Sequence, residues 1–366
     1  MVKPNPLTEK PHPLVKPGEI KPSNKAMVVR GVYNPGAVRA KNGKIMLMAR
    51  VAETPIHGER YFLAPNMVGT KSFKMSIEKI PKASGQLSWE TFITKNGLCR
   101  LPITSHFRKL IVDEEGGFVE TISQKPDFYG IKGDGDFGVE DPRITRLEEK
   151  GLYAMTYVSI SYGCGISTSL AVSRDLKNWR RRGIIFSQQN KDVVIFPEKV
   201  KGYYVAYHRP EGTMHFDKPS IWVSYSKDLE FWGREKPVLV PRDSWEKYWR
   251  IGAGAPPVRI DEGFLSICHG VRLVGKEQKR MYVACAALID PKDPEKILAK
   301  SPMNRPLFRP EAKFEKEGFI NNVVFPTGAV FSDNKKNLLI YSGAADTRIE
   351  VRKFSVKSIL NNMDFL

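Results

Sequence analysis

Cysteine, histidine and long apolar runs are all scarce in this 366-residue chain, and each scarcity excludes something. The four cysteines, Cys99, Cys164, Cys268 and Cys285, show no CxxC spacing. That argues against a zinc ribbon or a disulfide scaffold and for buried free thiols in a reducing compartment, so a cytoplasmic protein is expected. Six histidines lie scattered without ligand spacing, and no metal site is expected. No stretch approaches the roughly 18 uninterrupted apolar residues of a membrane span. The opening "MVKPNPLTEKPHPLVKPGEIKPSNK" also lacks an apolar run. It reads as a basic, Pro/Lys-rich, irregular surface arm over residues 1–28 rather than as a signal peptide.

Carboxylates are outnumbered: 40 Asp and Glu stand against 58 Lys and Arg, for a net charge of +18. Such an excess can serve nucleic acid, an acidic membrane surface or an anionic small substrate. The cations are spread along the chain, as in "WRRRG" at Trp179–Gly183, and neither a basic helix nor an RNA-binding signature is present. No nucleic-acid or membrane partner is therefore expected, and much of the charge reads as solvated surface. Oligomeric state is left open.

Helical periodicity is rare, whereas short alternating apolar runs bounded by Gly, Pro, Asn and Asp are abundant, which is the pattern of an all-β protein. Five segments share one layout of extended run, polar turn and second alternating run. They are "NPGAVRAKNGKIMLMAR" (Asn34–Arg50), "DPRITRLEEKGLYAMTY" (Asp141–Tyr157), "DVVIFPEKVKGYYVAYHR" (Asp192–Arg209), "APPVRIDEGFLSICHG" (Ala255–Gly270) and "FPTGAVFSDNKKNLLIYSGAAD" (Phe325–Asp346). Two continue into "LAVSRDLKNW" and "WVSYSKDLEFW", each supplying a third strand and an S-x-D-L turn. The reading is a five-bladed β-propeller of four-stranded antiparallel blades over residues 29–355. It carries an insertion-rich segment at about 70–137 and a C-terminal tail at 356–366. A β-sandwich array is the structural rival.

In a propeller, the start of each innermost strand and the end of the next lie at one mouth of the central channel. Strand starts place Asn34, Glu140, Asp141, Asn190, Lys191, Asp192, Arg250 and Phe325 there. Strand ends add Arg50, Tyr157, His208, Arg209, His269 and Asp346. Sixteen residues separate Asn34 from Arg50 and Asp141 from Tyr157, the same interval in two units. Carboxylates are few at this mouth and cationic or donor groups many, which suits an oxyanion such as phosphate. A hydrolase needs a second carboxylate to activate water. Ionised phosphate as nucleophile needs no protein base, so one acid beside a cationic pocket suits an inverting phosphorylase.

The motifs "YNPGAV", "MAR", "GVEDPRI", "FPEK…HRP", "IGAGAPPV…GFLSICHGV" and "FPTGAV…YSGAADT" occur in that order from about Val29 to Val351. Together they resemble glycoside hydrolase family 130, the five-bladed mannoside phosphorylases. The resemblance implies cleavage of a terminal β-mannoside by phosphate to α-mannose 1-phosphate, with inversion and without a cofactor. The linkage (β-1,2 or β-1,4) and the acceptor sugar (mannose, glucose or GlcNAc) are left open. By position, Asp141 would be the general acid, protonating the leaving oxygen through the mannose 3-hydroxyl, with Glu140 in support. Asn34, Arg50, Phe325 and Asp346 would shape the mannose subsite. Arg209, Arg250 and His269 would hold phosphate, with Asn190, Lys191 and His208 as further candidates. Arg250 stands where lysine is expected in many relatives. Proline at 142 is expected to keep Asp141 extended, with Glu140 and Asp141 facing opposite ways, and burial to raise the acid's pKa. The alternatives are a hydrolase or nucleotide-mannose transferase on the same fold, and a non-catalytic glycan- or nucleic-acid-binding propeller.

Overall fold

Alternation of apolar side chains along short segments builds five large antiparallel sheets, so the protein is all-β, with two short α-helices among the described residues, Lys313–Lys316 and Val356–Asn361. The computed structural model describes residues 7–56, 60–87, 91–211, 216–242, 247–275, 277, 279–302, 304–332 and 335–366. The first six residues of the expected arm lie outside the described residues.

The five sheets follow one another along the chain. Their leading strands are Met27–Arg39, Val139–Leu147, Asn190–Ile195, Tyr248–Ala253 and Val324–Phe331. Met27–Arg39 packs against Val139–Leu147 and against Val324–Phe331; Val139–Leu147 packs on Asn190–Ile195, and that strand on Tyr248–Ala253. Val324–Phe331 also packs against strands Gly263–Val274 and Lys279–Ile289 of the fourth sheet.

The core is divided accordingly, one apolar cluster filling each gap between neighbouring sheets. Val38, Met46 and Phe107 meet Val139, Tyr153 and Leu176 between the first and second sheets. Tyr207, Ile221 and Leu239 meet Tyr248, Ile251 and Phe264 between the third and fourth. Inner strands are covered on both faces, so Leu152–Ser161 (LYAMTYVSIS) is buried almost throughout. The outer strand Arg180–Phe186 alternates exposed and half-buried residues, as one wetted face requires. The repeated S-x-D-L turn has one geometry in both places. Ser173 Oγ accepts from Leu176 N and Asp175 Oδ1 from Lys177 N and Asn178 N; Ser226 and Asp228 repeat the pattern with Leu229, Glu230 and Phe231.

The expected irregular arm is partly ordered in a different way: His12–Val15 pairs with Arg348–Ser355 as the outermost strand of the fifth sheet. Residues 27–28 already belong to the first leading strand. The C-terminal tail supplies Asp364–Phe365, which pairs with Ile297–Lys300 of the fourth sheet. The segment expected as insertion-rich, about 70–137, pairs Met75–Pro81 with the preceding strand Tyr61–Met67 in a hairpin and forms a small three-stranded meander, but its Thr104–Val112 and Val119–Ile122 are strands of the first large sheet. All four cysteines are free; only Cys268 and Cys285 are buried, while Cys99 is exposed.

Candidate active site

Each leading strand loses its ladder register at, or within two residues of, a position where the sequence places a candidate. The breaks fall between Tyr33 and Gly36, Glu140 and Arg143, Lys191 and Val194, Tyr248 and Arg250, and Pro326 and Gly328. A bulge adds a residue that has no ladder partner and re-aims its side chain. Three such residues are left-handed: Asn34 at φ +46°, Asp141 at +50° and Asp192 at +58°. Asn and Asp tolerate this conformation better than other non-glycine residues. Asp346, at φ +48°, does the same in the turn after Asn337–Ala344.

The bulge overturns one expectation. Asp141 is not extended, and Glu140 and Asp141 do not face apart, because the break between Glu140 and Arg143 interrupts the two-residue alternation. Both carboxylates reach one guanidinium: Arg50 Nη1 donates to Asp141 Oδ1 at 2.9 Å and Nη2 to Glu140 Oε1 at 2.6 Å. Asn34 Nδ2 donates to the same Asp141 oxygen at 2.9 Å. Arg50 Nε donates to Ser105 Oγ at 3.0 Å, and its guanidinium lies 4.8 Å over the Tyr33 ring. Lys191 Nζ sits 3.5 Å from the other Glu140 oxygen, joining the acid pair rather than a separate anion slot.

Burial pushes the Asp141 pKa up, as expected, but Arg50, Arg143, the Asn34 hydrogen bond and Lys191 together outweigh it. The carboxyl is held below its usual value. Burial likewise opposes the charge on Arg50, while Glu140, Tyr33, Asp141 and Asp346 hold it firmly protonated.

A second cluster centres on Asp192. Arg143 spans the two groups: Nη1 donates to the Asp141 carbonyl at 3.0 Å and Nη2 to Asp192 Oδ1 at 3.0 Å. Arg209 Nη1 pairs with the other Asp192 oxygen and lies 3.1 Å from His269 Nε2. Arg209 Nη2 and Arg250 Nη1 flank Glu211, at 3.5 and 3.1 Å. Arg250 Nη2 donates to Tyr282 Oη at 2.5 Å. The Phe325 ring packs 4.4 Å from His269 and 6.0 Å from Tyr282. Among the described residues, Nε of Arg209, Nε of Arg250 and Nδ1 of His269 are buried without a hydrogen-bond partner.

His269, a candidate phosphate ligand, is not a cation in this site. Burial, joined by Arg209, Arg143 and Arg250 and only partly countered by Asp192, pushes its pKa down to about 3. The ring is neutral at physiological pH, and its 3.5 Å approach to Asp192 is no ion pair. With Arg209 donating to Nε2, the network assigns the proton to Nδ1, which makes His269 a neutral donor.

Three candidates stand apart. His208 Nδ1 lies 2.9 Å from Asn190 Nδ2, and the imidazole stacks on Phe186 at 4.4 Å. Neighbouring residues of a strand point to opposite sides, so these contacts run away from the Arg209 cluster. Tyr157 hydrogen-bonds Asp134 at 2.8 Å and lies beneath Arg181, also away from Asp141.

Residues 117–365 match the model of glycoside hydrolase family 130, described as beta-1,4-mannooligosaccharide phosphorylase. The chain belongs to glycoside hydrolase family 130. This family 130 chain is 29% identical over 357 residues to a beta-1,2-mannobiose phosphorylase of Listeria innocua serovar 6a, covering 96% of this chain and 97% of the relative. It superimposes on the structure of beta-1,2-mannobiose phosphorylase from Listeria innocua with TM-score 0.84 at 30% identity, covering 96% of both chains. A 1,2-beta-oligomannan phosphorylase of Thermoanaerobacter sp. (strain X514) is 36% identical over 61% of this chain and 70% of its own.

Five members of the clusters were not among the candidates from the sequence: Tyr33, Arg143, Glu211, Tyr282 and Ser105. Arg143 and Tyr33 had a visible signal, standing inside "EDPRI" two residues from Asp141 and inside "YNPGAV" beside Asn34. Among the described residues no group of three or more His, Cys, Asp or Glu is placed to hold a metal ion, and no helix is long and apolar enough to cross a membrane.

Proposed function

We propose that the protein is an inverting β-mannoside phosphorylase, built as a five-bladed β-propeller with its site at one mouth of the channel. The observation that carries the reading is the pairing of a bulged acid, Asp141, with an adjacent oxyanion slot, the other bulged acid, Asp192, being taken up by Arg143 and Arg209. Arg209, Arg250 and His269 converge around that slot with buried donors to spare.

In this reading Asn34, Arg50, Phe325 and Asp346 seat the terminal mannose, and phosphate lies between Arg209 and Arg250 with His269 Nδ1–H as a neutral donor. Asn190, Lys191 and His208 do not touch phosphate. A phosphate oxygen attacks the anomeric carbon from the face opposite the leaving sugar. The C–O bond to that sugar breaks, and Asp141 supplies the proton to the departing oxygen, directly or through a mannose hydroxyl. The products are α-mannose 1-phosphate and the shortened acceptor. Asp141 is ionised in the free enzyme, so it must gain its proton as substrates bind. Phosphate charge arriving beside Arg143 and Arg209 works in that direction, because it offsets the cations that hold the acid ionised. Glu140 keeps Arg50 and Lys191 in place.

β-1,2-mannobiose is the first substrate to test, since the relative matched over nearly the whole chain carries that name. Incubation with β-1,2- and β-1,4-mannobiose, with and without phosphate, is expected to give mannose 1-phosphate only when phosphate is present. Phosphate-independent release of free mannose would sink the reading.

A further inference from the structure

The slot assigned to phosphate already contains a carboxylate. Glu211 follows strand Tyr204–Pro210 and is half-buried, its backbone N–H donating to Gln189 O at 2.8 Å. Its Oε1 accepts from Arg250 Nη1 at 3.1 Å, and its Oε2 lies 3.5 Å from Arg209 Nη2. An anion between the two guanidiniums that are to bind another anion costs affinity unless it does something for the ligand. Asp192 already neutralises and orients Arg209, and Tyr282 already holds Arg250, so the arginines do not need Glu211 to stay in place.

We propose that Glu211 is the specificity-determining residue of the phosphate slot. It accepts a hydrogen bond from the P–OH that phosphate retains near neutral pH and rejects fully deprotonated tetrahedral anions. The inference rests on reading the Arg209–Arg250 slot as a phosphate site. A carboxylate has only acceptors. It meets the hydroxyl of hydrogen phosphate or hydrogen arsenate favourably, and it sets a like-charged oxygen, with no proton between them, against sulfate, which has the same shape and charge but no hydroxyl. Discrimination by an uncompensated charge is a general device of specific sites. A glutamine amide in the same place offers N–H donors to sulfate and removes the repulsion.

The test is competition in the phosphorolysis of β-1,2-mannobiose. For the wild type, arsenate is expected to compete with phosphate at comparable concentration, and sulfate at least about tenfold less well, the size of one charged hydrogen bond. In Glu211→Gln the sulfate gap is expected to close to within about threefold, while Glu211→Asp keeps it. Wild-type sulfate competing as well as arsenate overturns the proposal, and so does an unchanged gap in Glu211→Gln. The wild-type arm reads the outcome even if Glu211→Gln does not fold. Failure of the parent reading looks different: wild type would then not use phosphate at all.

Discussion

Asp141 and its neighbour divide one guanidinium between them, and that arrangement sets what each does when it is replaced. Asp141→Asn preserves shape and keeps an oxygen for Asn34, so the fold should survive. Turnover should fall by about 10²–10⁴-fold, the range of a lost general acid, measured as mannose 1-phosphate released from mannobiose. Glu140→Gln leaves Arg50 bonded to Asp141 and should cost far less; the reverse order of effects would reassign the acid. Arg250→Ala removes a charged donor from the oxyanion slot and is expected to raise the KM for phosphate roughly 10- to 100-fold, with a smaller effect on the KM for mannoside. Arg143→Met breaks a buried pair. Because Asp192 keeps Arg209, the loss of stability should fall at the lower end of about 3–5 kcal/mol, read by denaturant unfolding.

The bulged leading strand is the device that turns a β-sheet edge into a site. Its left-handed Asn and Asp residues push polar side chains out of the alternation while the flanking residues stay in the core. Close approach of the backbone is part of the same device. A Cβ at Gly252, next to the fourth-sheet bulge, would collide with the Asp192 carboxylate, the His269 ring and the Arg209 guanidinium together. Gly252→Ala should therefore raise the KM for phosphate while leaving the far-UV spectrum unchanged; unaltered phosphate kinetics would show that the cluster tolerates displacement. The turns are simpler. Ser173–Asp175 and Ser226–Asp228 build the same hydrogen-bond pattern from local side chains, which is why S-x-D-L could be recognised in the sequence.

On the scale of the whole molecule, protonation ties the site to stability. Burial pushes His269 down to about 3 and His208 to about 4, below the ordinary value near 6.5. The unfolded chain then binds more protons, so stability is complete above about pH 6.5 and falls as pH drops toward these values. Asp141 and Asp192, both held below the ordinary carboxylate value, add a further loss at lower pH. Thermal unfolding at a series of pH values should show the melting temperature declining from about pH 6.5 downward; a flat profile to pH 4 would contradict the buried neutral imidazoles. The pairing of His12–Val15 with Arg348–Ser355 links the two ends of the chain in one sheet. Deleting residues 1–15 exposes a sheet edge and uncovers the apolar cluster that contains Val15. A lower melting temperature and increased aggregation are expected by calorimetry and light scattering.

Local chemistry was readable from the residues themselves. Alternating apolar runs specified strands, Ser-x-Asp turns specified corners, and polar residues at matching strand ends pointed Asn34, Arg50, Asp141, Arg209, Arg250 and His269 toward one place. The first two signals depend on residues a few positions apart, and the third on a layout repeated along the chain. What the chain could not reveal by itself depends on contacts between distant segments. The bulge that turns Glu140 and Asp141 onto one arginine is set by how two strands pair. The neutrality of His269 is set by burial between sheets, and the position of Glu211 by strands from two different sheets. Net charge by itself decided nothing about the site; only the folded protein decided which cations there are neutralised, by which carboxylates, and which keep a free donor.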